Sequence, residues 1–184
     1  ASSRQFPEGD VQHWWHPPHG AGVRTRITDD LLWLPYVLAE YLEVTGDWSV
    51  CGEKTCYLES PPLREGERER YETPRCSERE DTVYRHALAA IRCAVERGAG
   101  SHGLALIGGG DWNDGMNRVG AGGRGESVWL TWFLALVLRK FAPVCRHMEE
   151  PQLAEELLGR AEGYRKAAEA AWDGNWYRRG YFDS

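Results

Sequence analysis

No part of this chain is strongly basic. Its 22 Lys and Arg are outweighed by 28 Asp and Glu, giving a net charge of −6, and no basic cluster exceeds a few residues. The clustered cationic face expected of a nucleic-acid-binding protein is therefore missing. Long apolar runs are missing too. The longest, at 128–138, is about 11 residues, against the roughly 20 that a membrane span needs. The expectation is that nothing in this sequence crosses a bilayer. The first ten residues are polar, without the apolar centre of a secretory leader. Five cysteines (Cys51, Cys56, Cys76, Cys93 and Cys145) form no Cys-x-x-Cys pair, and no His lies at zinc-finger spacing from them. Reduced thiols in a cytoplasmic protein are the expectation. Finally, no segment alternates apolar and polar residues as a half-buried strand does. That absence leads to an all-α expectation, about four main helices joined by long loops.

The helices are marked by their periods. Thr28 or Asp29 caps a first helix over about 30–45, with Leu31, Leu34, Leu38, Tyr41 and Leu42 as its stripe and Gly46 as its stop. A second covers about 82–97, with Tyr84, Leu88, Ile91 and Val95 facing inward. The third, about 126–141, is apolar on almost every face, which predicts a helix buried all round. The fourth, about 151–171, carries Leu153, Leu157, Tyr164 and Ala168 opposite Glu and Arg. Residues 47–80 hold no period and read as a long exposed excursion, either a lid or binding loop or a disordered segment.

Nine Trp and 21 Gly stand out in 184 residues, and both concentrate in the loops. The segment Gly108-Gly109-Gly110-Asp111-Trp112-Asn113-Asp114-Gly115-Met116-Asn117-Arg118 fits neither a helical nor a strand period. It reads as an ordered loop that presents side chains. An indole beside carboxylates and carboxamides suits a sugar, because the ring stacks on the apolar face of a pyranose while Asp111, Asn113 and Asp114 bond its hydroxyls. A tight turn held by Asx hydrogen bonds, with Trp112 plugging a core, is the structural alternative. His13, His16 and His19 lie within seven residues but lack the spacing of a helical His pair and any interleaved carboxylate or Cys. No metal is expected there. A second aromatic and polar loop, 173–183, is similar in chemistry to the first.

Taken together, Gln12-His13-Trp14-Trp15-His16-Pro17-Pro18 within 9–18, Arg24-Thr25-Arg26-Ile27-Thr28-Asp29-Asp30 within 22–36, the loop at 108–118, Gly122-Gly123-Arg124-Gly125-Glu126-Ser127 within 122–130, and Trp172-Asp173-Gly174-Asn175-Trp176-Tyr177-Arg178-Arg179 resemble glycoside hydrolase family 94. These are the inverting β-glucoside phosphorylases, and the most similar branch is the C-terminal domain of cyclic β-1,2-glucan synthases. The resemblance implies part of an (α/α)6 barrel, a six-hairpin toroid, with residues 1–184 as a fragment of the catalytic domain. It implies Asp114 as general acid, Trp112 in the sugar subsite, and Arg24, Arg26 and Asp29 or Asp30 holding the same sugar, with His13 lining the pocket. Inorganic phosphate would be co-substrate, no cofactor would be needed, and the product would be α-glucose 1-phosphate.

A phosphorylase replaces the hydrolytic water by an anionic nucleophile, so one carboxylic acid suffices. That acid must be protonated with substrate bound, through an apolar wall or an anionic neighbour, for which Trp112 and Asp111 are candidates. Four helices of a twelve-helix toroid, without the segments that supply the phosphate-binding His and the Gly/Thr loop, imply a β-glucan or oligosaccharide enzyme completed by the rest of a longer polypeptide or by a homo-oligomer partner. In the branch it resembles, this would be the cytoplasmic part of an inner-membrane protein. A truncated remnant that folds and binds sugar without turnover is the alternative. A helical interaction module is a third reading, which the loop motifs disfavour.

Overall fold

The computed structural model describes residues 2–183 and divides the chain into two compact units, 1–96 and 97–184. In the first unit, β1 (Gln12–His16), β2 (Ala21–Thr25) and β4 (Glu69–Glu72) form an antiparallel sheet in the order β1-β2-β4. Trp14 faces Val23 across one ladder, and Val23 faces Tyr71 across the next. β3 (Lys54–Glu59) and β5 (Arg75–Thr82) form a second ladder, cross-linked by a Cys56–Cys76 disulfide. α1 (Asp30–Thr45) packs on α2 (Val83–Glu96). α1 ends where Gly46 takes a left-handed conformation (φ 66°) and returns its N–H to the Leu42 carbonyl, the helix stop that only a residue without a Cβ adopts easily.

In the second unit, α3 (Val128–His147) and α4 (Pro151–Glu169) form a helical hairpin. Ala154, Leu157, Ala161 and Ala168 are the buried residues of α4; three of these four lack side-chain bulk, so the helices can pack closely. β6 (Glu126–Ser127) enters α3 and pairs antiparallel with β7 (Gly180–Tyr181). A Cβ on Gly180 would lie 2.4 Å from the Glu126 carbonyl oxygen, so this strand approach requires glycine. The Asp183 carboxylate accepts the backbone N–H groups of Gly122, Arg124 and Gly125 and closes the turn before β6.

These strands overturn the all-α expectation and, with it, the expectation of a purely helical piece of a toroid. The physical reason is that none of the strands buries one alternating apolar row: β2 is buried at consecutive positions, β3 buries the adjacent Tyr57 and Leu58, and β4 and β5 are polar. β4 reads Glu-Arg-Tyr-Glu, and β5 is exposed or half-exposed along its length. Such strands bury no apolar row, so they carry no period of two. Ladder bonds, the Lys54–Glu80 pair and the disulfide hold them instead. The excursion at 47–80 is accordingly built on three strands, and two of its cysteines are paired rather than reduced. Cys51, Cys93 and Cys145 are free thiols.

The four helices lie where the periods place them, with α3 extended at its C-terminal end. α3 is not buried all round: Trp129, Trp132, Leu136 and Lys140 form a half-buried stripe. By length and composition α3 could cross a membrane, yet 67% of its most apolar 18-residue window is buried within the protein, as in a core helix.

Candidate functional site

The loop at 108–118 lies in the second unit and hangs from one buried carboxylate. Asp111 is fully buried. Its Oδ2 accepts the Ser127 hydroxyl at 2.6 Å, and its Oδ1 accepts Arg179 Nη2 at 2.6 Å and the Asn113 N–H at 3.1 Å. Arg179 Nη1 also donates to Ser127 Oγ at 3.1 Å. Ser127 in turn caps α3, accepting the Leu130 N–H at 3.0 Å. Three segments distant in sequence therefore meet at one carboxylate.

From this anchor the chain turns outward. Asn113 Oδ1 accepts the Gly115 N–H, opening a short 3-10 turn over Asp114–Met116 with Asp114 as its first, exposed residue. Trp112 is 57% exposed. One flank of its ring meets Trp129 edge-on at 6.2 Å, and the Arg179 guanidinium lies 6.0 Å from its centroid. The core-plug alternative for Trp112 therefore does not hold, whereas the Asx-turn geometry of the loop does. Asp111, named from sequence as a possible anionic neighbour for the acid, is committed to an arginine and acts as the loop's foot.

The first unit gathers the other sequence-derived candidates. His13 Nδ1 lies 2.9 Å from Asp30 Oδ1; a carboxylate only accepts, so Nδ1 carries the proton. Asp30 Oδ2 accepts the Thr25 hydroxyl at 3.0 Å. Asp29, buried at the start of α1, makes no side-chain capping bond and accepts the Trp33 indole N–H at 3.0 Å. These groups form one polar cluster where β1, β2 and α1 converge.

The two arginines of the motif are used differently. Arg24 is 1% exposed and directs its five N–H groups to Asp10, Glu8 and the carbonyls of Ser60 and Pro61. Its guanidinium stacks 3.8 Å from the centroid of Phe6. Burial alone would lower its pKa, but the hydrogen bond and charge of Asp10, with Glu8, raise it above the usual arginine value. Arg26 binds the carbonyls of Leu63, Arg64 and Glu67. Both arginines hold the 60–67 segment against β2.

Comparison with known proteins decides the family. The family described as Glycosyl hydrolase 94 superfamily, catalytic domain, matches residues 1–184. The chain belongs to this superfamily. It is 47% identical over its whole length to cyclic beta-(1,2)-glucan synthase NdvB of Rhizobium meliloti, of which it covers 6%. It is 33% identical over 183 residues to solabiose phosphorylase of Paenibacillus borealis, covering 21%, and 36% identical over 157 residues to cellobionic acid phosphorylase of Neurospora crassa, covering 17%. The chain thus spans 6–21% of the length of these relatives.

Within this glycosyl hydrolase 94 piece, sequence reading missed Ser127, Arg179 and Trp129 as neighbours of the loop at 108–118, and Thr25 and Trp33 as partners of the two aspartates. Ser127 and Trp129 lie in the 122–130 stretch and Arg179 in the 172–179 stretch, both among the runs that carry the family resemblance, but nothing in the sequence pairs either stretch with the loop at 108–118.

Proposed function

We propose that this chain is the part of an inverting glycoside phosphorylase domain that carries the proton donor. Asp114 gives a proton to the glycosidic oxygen of a β-linked glucoside, with β-1,2-glucan or a related oligosaccharide as the substrate class. Inorganic phosphate attacks the anomeric carbon from the opposite face. One C–O bond breaks and one forms with inversion, yielding α-glucose 1-phosphate and a sugar shortened by one unit. Trp112 offers its exposed face for stacking on the sugar.

The observation that supports this reading best is the anchored loop. A buried Asp111 fixes the backbone, so Trp112 and Asp114 are exposed yet positioned, as a donor of protons to a bound ligand requires. The phosphorylases and the glucan synthase among its relatives support the substrate class.

The test is Asp114→Asn in the protein that carries this domain, with phosphate and a panel of β-glucobioses, following release of glucose 1-phosphate. General acid catalysis contributes about 10²- to 10⁴-fold, and a loss at or beyond that range is expected on the disaccharide. An aryl β-glucoside, whose leaving group needs little protonation, should lose far less. Equal losses on both substrates would remove Asp114 from the role of acid.

A further inference from the structure

We infer that Arg179 is a positioning residue for the acid loop, acting on Asp114 through Asp111 and on Trp112 through its ring. This rests on the reading of Asp114 as the acid. The guanidinium is fixed at both ends. Behind it, the Arg179 carbonyl accepts the Val128 N–H at 3.2 Å, and the next residue pairs with Ser127 in the β6–β7 ladder. In front, one terminal nitrogen bonds Asp111 and the other bonds Ser127, with distances of 2.6 and 3.1 Å. Arg179 therefore ties the first turn of α3, the strand β7 and the acid loop into one frame.

The chemistry of Asp111 makes this contact decisive. A carboxylate fully removed from water needs a matching cation or it takes up a proton. Arg179 is the cation paired with it, and it is 37% exposed. Without it, Asp111 loses its charge partner and is drawn toward solvent, which disturbs the bond from the Asn113 N–H to Oδ1. Asn113 starts the turn whose first residue is Asp114, so the displacement reaches the acid through only two residues. The same guanidinium flanks Trp112, the residue between anchor and turn, so ring and carboxyl move together. A lysine keeps the charge but cannot span Asp111 and Ser127 with a planar fork.

The experiment compares Arg179→Lys with Asp114→Asn, again in the protein that carries the domain, on a β-glucobiose and on an aryl β-glucoside. Misplacing a reacting group by about an ångström costs on the order of 10²-fold. Arg179→Lys should lose roughly that in kcat on the glucobiose and clearly less on the aryl glucoside, because proton donation is what has been displaced. Equal loss on both substrates, as a smaller folded fraction would give, overturns the positioning role, and so does an unchanged rate. Asymmetry in Asp114→Asn without asymmetry in Arg179→Lys discards Arg179 and keeps the acid; no asymmetry in Asp114→Asn discards the acid reading itself. Should Arg179→Lys fail to fold, the paired change Asp111→Asn with Arg179→Gln removes both charges and reads the same asymmetry. As a second readout, millimolar guanidinium ion should restore glucobiose turnover to Arg179→Ala, and failure to do so counts against the role.

Discussion

Arg24 and Arg179 are each the arginine of a carboxylate clamp, one in each unit, and they differ in what they leave open. Arg24 is enclosed, with every N–H directed to the protein. Arg179 stands partly in water with its carboxylate partner wholly inside. In the first unit the cation is buried and holds a sheet to an excursion. In the second the anion is buried and the cation steers an exposed loop. Residue type and motif membership are therefore poor guides to whether an arginine faces a ligand; the deciding fact is which partner of the pair has lost its water.

The comparison breaks first at Arg24. Arg24→Met leaves Asp10 and two carbonyls facing a removed cation, and loss of one partner from a buried pair costs about 3–5 kcal/mol. Urea unfolding followed by circular dichroism should show it, and a cost no greater than that of Arg179→Met would erase the distinction. Next is the strap across the same unit. Cys56 and Cys76 are 20 residues apart, and a disulfide closing a loop of that size stabilises by about 3 kcal/mol. Cys56→Ser, or reductant on the wild type, should lower the unfolding midpoint accordingly.

Arg179→Met should cost less in stability, about 1–3 kcal/mol, because the exposed loop can carry Asp111 toward water once its cation is gone, while its activity falls on the order of 10²-fold. A stability loss matching Arg24→Met would make both arginines architectural. The smallest effect belongs to Asp183. The Gly122 N–H, helped by those of Arg124 and Gly125, holds its pKa below the ordinary aspartate value against the opposing effect of burial, which is second in size to the Gly122 bond. A depressed carboxylate stabilises the fold above its unfolded pKa, and that stability is lost as pH falls through the folded pKa. Wild type should weaken relative to Asp183→Asn as pH drops below about 4, and parallel acid profiles would remove the contribution.

What could be read from the sequence follows from burial. Helices with an apolar stripe announce themselves, and all four lie where Leu31, Leu88, Leu130 and Leu157 and their repeats put them. The strands do not, because Glu69, Glu78 and Glu80 face water and leave no alternation to detect. The loop at 108–118 was legible as an exposed display of polar groups, since no repeating structure accommodates Gly, Trp, Asp and Asn at that density. The clamp beneath it was not legible: Arg179 is 68 residues from Asp111, and a contact over that span depends on the β6–β7 pairing, which two residues per strand cannot signal.

The turn closed by Asp183 has a further consequence. Backbone N–H groups converging on one point make an anion nest, the device by which glycine-rich loops hold phosphate. Here the guest is tethered to its host. Any dissolved anion must displace a carboxylate present at the high effective concentration of an intramolecular ligand. The glycine cluster at 120–125, which by composition could pass for a phosphate cradle, is already occupied whenever Asp183 is seated.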